Sequence, residues 1–236
     1  MTDLLAADSW LVDDGRVRAI ERHWARFEAA CREHGIEPDA VAELRARVAR
    51  AVPPGGRWFP RVELRADREL VVEVRPAPPR EPTVVAWLAD VADPRSEPRR
   101  KGPDLERLAA LRARAAAHGA GEALLSDAGG RLIEGAFTSL LWWEGETLCA
   151  VPDDAPILPG ITRALLLELA RDRGTAVAQR RPALQELADR ETWLVSALHG
   201  IRVVTGWANG DPPAGGGRRA GGWQRLLDGL TARQAV

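Results

Sequence analysis

Apolar positions along the chain follow two spacings. Ile20, Trp24, Phe27 and Cys31 stand three or four residues apart, which predicts an amphipathic helix over 18–34. A second helix is predicted over 38–51, with Pro38 near its start and Val52-Pro53-Pro54-Gly55-Gly56 ending it. Leu105, Leu108, Leu111 and Ala115 give a third. Leu165, Leu166 and Leu169 give a fourth over 162–173, stopped by Gly174. A short helix at 183–189 and a last one carrying Trp223, Leu226, Leu227 and Leu230 complete the helical set. Short runs rich in Val, Leu and Trp, bounded by turn residues, predict strands at 8–13, 58–65, 69–75, 83–90, 122–126, 131–134, 138–143, 147–151, 191–196 and 201–207. Asp14-Gly15, Asp127–Gly130 and Glu144-Gly145 supply turns between them.

This order reads as an α+β fold without internal repeats. The segment DPRSEPRRKGPD (93–104) is rich in proline and charge and has no period, so it reads as a solvated boundary. The expected organisation is a smaller N-terminal domain over 1–92, a linker over 93–103 and a larger, strand-rich domain over 104–236. Residues 209–222 (NGDPPAGGGRRAGG) read as a flexible loop.

Charge narrows the function classes. The net charge of −1 over 236 residues gives no global electrostatic case for nucleic acid or membrane, although arginine is abundant. Cys31 and Cys149 form no CxxC and read as buried thiols. The four histidines are scattered and no metal cluster is visible. Without a basic-then-apolar leader or a run of 18 apolar residues, the expectation is a soluble, cytoplasmic protein.

Of the 33 lysines and arginines, only Lys101 is a lysine. A guanidinium stays protonated, whereas a desolvated lysine amine can lose its proton and form an imine. Compositional drift toward arginine is the plain alternative. Three further features change the balance. Glu134 ends an apolar strand and is followed by Gly135. Leu158-Pro159-Gly160-Ile161-Thr162-Arg163 is a glycine-containing loop that opens a helix, whose free N–H groups and Thr162 hydroxyl suit a phosphate. Ser196-Ala197-Leu198-His199-Gly200 follows a strand and offers a second side of an anion cup. Each feature alone is ordinary. Lysine, carboxylate and phosphate cup together are the parts needed to hold pyridoxal phosphate.

At these residues the sequence resembles the class IV aminotransferases, the fold-type IV pyridoxal-phosphate enzymes. That family includes branched-chain aminotransferases, D-amino-acid aminotransferases and 4-amino-4-deoxychorismate lyase. The resemblance spans nearly the whole chain and is strongest over 119–207. GAGEALLSDAGGRLIEGAFTSLLWW, LPGITRALLLELARDRG and ETWLVSALHGIRVV carry it, with HWARFEAAC upstream as an H-x-x-R helix. The resemblance implies that Lys101 is the Schiff-base residue and that Glu134 pairs with the pyridine nitrogen. It also implies a phosphate held by Arg26, Gly160, Ile161, Thr162 and the backbone of Ser196 and Ala197, and a homodimer. The chain departs from the family in having Ser139 and Asp104 where asparagines are usual, and no tyrosine at all.

The chain's short length and its Ser-Ala-Leu run favour a 4-amino-4-deoxychorismate lyase-like activity, giving 4-aminobenzoate and pyruvate. A transaminase of branched-chain or D-amino acids is the alternative. A cofactor-free binding module that kept the fold is a third reading. Either enzyme would act on a small amine-bearing carboxylate, for which Arg61, His199 and Arg202 are candidate partners.

Overall fold

The computed structural model describes residues 4–208, 210 and 212–233. In chain order the elements are β1 (Leu4–Ser9), β2 (Val12–Asp13), β3 (Arg16–Arg18), α1 (Ile20–Glu33), α2 (Pro38–Ala51), β4 (Arg57–Trp58), β5 (Arg61–Arg65), β6 (Leu70–Glu73) and β7 (Thr83–Leu88). Next come α3 (Leu105–Ala117), β8 (Glu122–Ser126), β9 (Leu132–Gly135), β10 (Ser139–Glu144), β11 (Thr147–Ala150), α4 (Ile161–Asp172) and β12 (Val177–Gln179). A 3-10 turn (Leu184–Leu187), β13 (Thr192–Ser196), β14 (Gly200–Trp207), α5 (Ala220–Asp228) and β15 (Thr231–Arg233) follow. The mixture is the expected α+β class.

The chain divides into two compact units. The first holds residues up to 80 together with 100–105 and the segment from 228 onward. Its sheets are the antiparallel β1-β5-β6 and the four-stranded β15-β3-β2-β4. The predicted helical face of α1 is the buried one: Trp24, Phe27 and Cys31 pack with Val41, Leu44 and Val48 of α2 and with Trp10, Val62 and Leu64. Trp10 and Trp24 meet with ring centroids 5.2 Å apart, so these tryptophans are core.

The second unit holds 81–99 and 106–227 and is built on one eight-stranded sheet, ordered β12-β11-β10-β13-β14-β7-β8-β9. β7 runs parallel to both β14 and β8. Every residue of β8 and β9 is buried, and so are Ser139–Trp143 of β10. With both faces covered, their inner stretches Ala123–Leu125, Leu132–Ile133 and Leu140–Trp143 read as continuous apolar runs instead of alternating ones.

Four expectations change. The domain boundary at 92 does not match the division. β7 is an interior strand of the larger sheet, 93–99 stays with it, and the chain visits the first unit again at 100–105 and at its C-terminal segment. The single strands expected at 8–13 and 58–65 are each divided between two sheets, into the end of β1 and β2 and into β4 and β5. The charged stretch 93–104 is not simply solvated, because the side chains of Asp93 and Arg95 are 10% and 5% exposed and pair with each other. α5 begins inside the predicted 209–222 loop, of which Asn209 and Asp211 lie outside the described residues. Cys31 and Cys149 are free and buried, and burial pushes their thiols up to about 12 and about 11. Among the described residues no helix is long and apolar enough to cross a membrane.

Candidate active site

The residues singled out in the sequence fall into two groups, one in each unit. In the first unit Lys101 is pinned by its backbone. Its carbonyl accepts the Ala7 N–H of β1 at 2.7 Å. Gly102, next along, has φ +144 and lies so close to β1 that a Cβ would sit 2.7 Å from the Ala6 Cα. Only glycine fits that approach.

One residue beyond Ala7, Asp8 is fully buried and is the hub of this group. Its carboxylate accepts Arg26 Nε at 2.8 Å and a second guanidinium N–H at 2.9 Å. It also accepts His23 Nδ1–H at 2.8 Å. Burial opposes its charge, yet Arg26 and His23 more than offset this and hold Asp8 well below the usual carboxylate range. Arg26 is thus held by a two-toothed bond from its own unit. Arg61, on β5, pairs with Glu63 at 2.7 Å.

In the second unit Glu134 sits at the end of β9, 4% exposed. Its Oε1 accepts the Leu158 N–H at 2.9 Å and Arg95 NH1 at 2.5 Å, and neither bond uses Oε2. Arg95 is held in turn by a two-toothed bond to Asp93, at 2.9 and 2.8 Å, and by the Pro156 carbonyl at 2.9 Å. Burial pushes the Glu134 carboxyl up to about 7, against the pull of Arg95 and the Leu158 N–H.

The Leu158 bond ties this carboxylate to the loop that opens α4. Gly160 is the N-cap of α4 and no side chain caps that end; the first turn carries no acid. The N–H groups of a first helical turn lack intrahelical acceptors and carry partial positive charge, so this end suits an anion. Thr162 and Ile161 are 4% and 8% exposed. A Cβ on Gly160 would lie 2.3 Å from the Ser139 hydroxyl oxygen, so Ser139 takes the space that glycine leaves.

Ser196 ends β13 opposite Gly200, and its hydroxyl accepts the His199 N–H at 3.2 Å across the turn that carries Ala197. His199 Nδ1 accepts the Glu81 N–H at 3.1 Å, which leaves the neutral ring's proton on Nε2. Arg202 is 4% exposed and is already engaged, to Glu122 at 3.2 Å and Glu81 at 3.4 Å.

The profile of the amino-transferase class IV family matches residues 5–207. The chain belongs to the amino-transferase class IV family. Three solved structures share its fold. A hypothetical aminotransferase from Mycobacterium tuberculosis in its PLP-bound form is 24% identical, over 95% of this chain and 87% of that one, with a TM-score of 0.80. A 4-amino-4-deoxychorismate lyase candidate from Legionella pneumophila is 18% identical, over 95% and 90%, with a TM-score of 0.79. The branched-chain amino acid aminotransferase of Escherichia coli is 17% identical, over 95% and 84%, with a TM-score of 0.80. No curated protein sequence matches the chain.

In this member of the family the sequence pattern missed Asp8, His23 and Arg95. Asp8 lies in a strand between Ala7 and Ser9, and an acid in an otherwise apolar run is the signal that was there to read. His23 stands three residues before Arg26, one helical turn away on the same face. Arg95 had no signal, because one buried arginine inside a charge-rich stretch looks like its solvated neighbours.

Proposed function

We propose that the chain is a pyridoxal-phosphate enzyme acting on a small amine-bearing carboxylate, with a 4-amino-4-deoxychorismate lyase-like reaction as its activity. One observation carries the cofactor: the buried Glu134 is hydrogen-bonded to the loop whose helix end is uncapped. A carboxylate with Oε2 unused by its two bonds fits a protonated ring nitrogen, and an uncapped N-terminus beside a glycine fits a phosphate. Bound there, the cofactor supplies an electron sink for a carbanion beside the substrate nitrogen.

In this reading Glu134 keeps the proton on the pyridine nitrogen. The Ile161 and Thr162 N–H groups, the Thr162 hydroxyl, the Ser196–Ala197 backbone and Arg26 hold the phosphate. Lys101 is the covalent anchor and, once released, the base that takes the proton from the carbon next to the substrate nitrogen. Loss of enolpyruvate from the same ring then yields 4-aminobenzoate, and pyruvate leaves. In a transaminase of branched-chain or D-amino acids Lys101 would instead return its proton to the cofactor side. The Ser-Ala-Leu turn favours the lyase branch. Among the substrate candidates Arg202 pairs with Glu122 and Arg61 with Glu63, and His199 accepts the Glu81 N–H through Nδ1. We place the enzyme in the cytoplasm as a homodimer; a fully active monomer in sedimentation at micromolar concentration would refute the dimer.

The test is spectral first. Purified protein with pyridoxal phosphate is expected to absorb at the edge of the visible, and to lose that band on borohydride treatment or in Lys101→Ala. Pyruvate release from aminodeoxychorismate, measured beside a panel of amino donors, then separates lyase from transaminase. Near-normal turnover in Lys101→Arg would end the mechanism, and a colourless protein would favour the cofactor-free binding module.

A further inference from the structure

Asp8 and His23 have no part in the chemistry described above, yet they are buried beside the backbone anchor of Lys101. Asp8 is one residue from Ala7, whose N–H holds the Lys101 carbonyl at 2.7 Å, and two from Ala6, against which Gly102 is pressed. An ionised carboxylate only accepts, so the 2.8 Å bond to His23 Nδ1 requires the ring proton on Nδ1. The lone pair of the neutral ring is then on Nε2.

We propose that Asp8 and His23 form a positioning pair for the reactive amine, in which Asp8 fixes the ring of His23 so that its Nε2 lone pair accepts a hydrogen bond from the Lys101 ammonium when Lys101 is not joined to the cofactor. The inference rests on the reading of Lys101 as the reactive amine. His23 and Arg26 are adjacent rungs of one helix face, so one carboxylate orients both the arginine assigned to the phosphate and the imidazole assigned to the lysine.

The charges around His23 agree with an acceptor. Burial pushes the ring below its ordinary value of 6.5; Asp8 on β1 pulls it back up; Arg26 on its own helix and Lys101 on the 100–105 segment push it down again. The Trp10 ring, 5.7 Å away between centroids, adds no charge. His23 is therefore neutral at neutral pH and does not repel the Lys101 ammonium, as a second cation would. Arg26, a fixed positive charge on the same helix face as His23, works against a second cation in this group, and His23 offsets that by giving the Lys101 ammonium an acceptor.

The single lysine makes the test direct, since acylation of the full-length, cofactor-free protein followed by peptide mapping reads one side chain. The pH at which Lys101 is half reactive is the quantity measured. An asparagine at 23 keeps a polar atom near Nδ1 for Asp8 but has none at Nε2; a glutamine reaches the Nε2 position. His23→Asn is expected to move the midpoint down by about half a pH unit, which is about threefold more reactive amine below it. His23→Gln is expected to stay at wild type. Asn and Gln moving together, or neither moving, overturns the pair, and a wild-type profile in Asp8→Asn does so where His23→Asn does not fold. No cofactor is present in this measurement. An unchanged profile therefore sinks the positioning pair alone, while absence of the visible band with added pyridoxal phosphate sinks the cofactor reading alone.

Discussion

Arg95 NH1 lies 2.5 Å from Glu134 Oε1, and both side chains are 5% exposed. A buried carboxyl without a cation takes up a proton; Arg95, with Asp93 behind it, is the reason Glu134 can be an anion near neutral pH. Arg95→Met removes the only cation bonded to either acid among the described residues. It is expected to cost about 3–5 kcal/mol in unfolding free energy, the penalty for breaking a buried pair. If Glu134 holds the ring proton as proposed, turnover should also fall more than tenfold, because a protonated carboxyl cannot do so. Urea melts and kcat at neutral pH check the two effects, and a variant matching wild type in both would remove Arg95 from the site.

Glu134 also sets a pH dependence of stability in the cofactor-free protein. In the fold its carboxyl keeps the proton up to about 7; unfolded, it releases the proton near 4.5. Between those values the folded state binds more protons than the unfolded one, so stability falls as pH rises from 4.5 to about 7 and is level above. The fall is on the order of 3 kcal/mol at most. Asp8 acts in the opposite sense, since its lowered value contributes stability that is lost as pH drops below 3.8. Melting curves across pH 4 to 8 should show the Glu134 slope in the wild type and lose it in Glu134→Gln. A slope that persists in that variant would assign it to another group.

Ser139 and Gly160 give a coupling that can be measured by a double-mutant cycle. In Gly160→Ala the new methyl lies 2.3 Å from the Ser139 hydroxyl oxygen but 3.5 Å from the Ser139 Cβ. The clash is with the hydroxyl alone. Gly160→Ala is expected to destabilise by about 1–3 kcal/mol, and most of that to return in Ser139→Ala/Gly160→Ala. Additive losses would mean that the loop moves away as a body, and that Ser139 does not define the shape of the helix entrance.

What could be read from the sequence follows the physics of each element. α1, α2 and α4 have enough turns for a 3.6-residue period to repeat, and they appear within two residues of expectation. β12 and β15 have three residues each, too few to show any period. β15 exists only because its backbone pairs with β3, more than two hundred residues earlier. The same locality governs the site. Gly160 before a helix and a solitary lysine announce themselves in short stretches. The burial of Arg95 depends on Asp93, Glu134 and Pro156 arriving from three places, and the contact of Ser139 with Gly160 depends on two. Asp8 was visible as an acid in an apolar strand, but its partners were not.

Arg26 separates the cofactor assignment from general electrostatics. Its guanidinium gives Nε–H and one further N–H to Asp8, and the remaining nitrogen, NH1, makes neither bond. Arg32, in the last turn of the same helix, is exposed. If Arg26 is the cation of the phosphate site, Arg26→Ala should weaken pyridoxal phosphate binding by more than tenfold, while Arg32→Ala, which removes the same charge from the same helix, should leave it within about twofold. Arg26→Ala also takes away the cation bonded to the buried Asp8, leaving it the His23 N–H, and is expected to lose about 3 kcal/mol of stability, so Arg26→Lys is the informative companion. Lysine keeps the charge for Asp8 but cannot hold it with two N–H groups and reach a phosphate with a third. Equilibrium titration with pyridoxal phosphate, scored only for variants whose melting midpoint is above the assay temperature, decides the matter. Equal affinities for the Arg26→Lys, Arg32→Ala and wild-type proteins would assign the phosphate to the α4 end without Arg26.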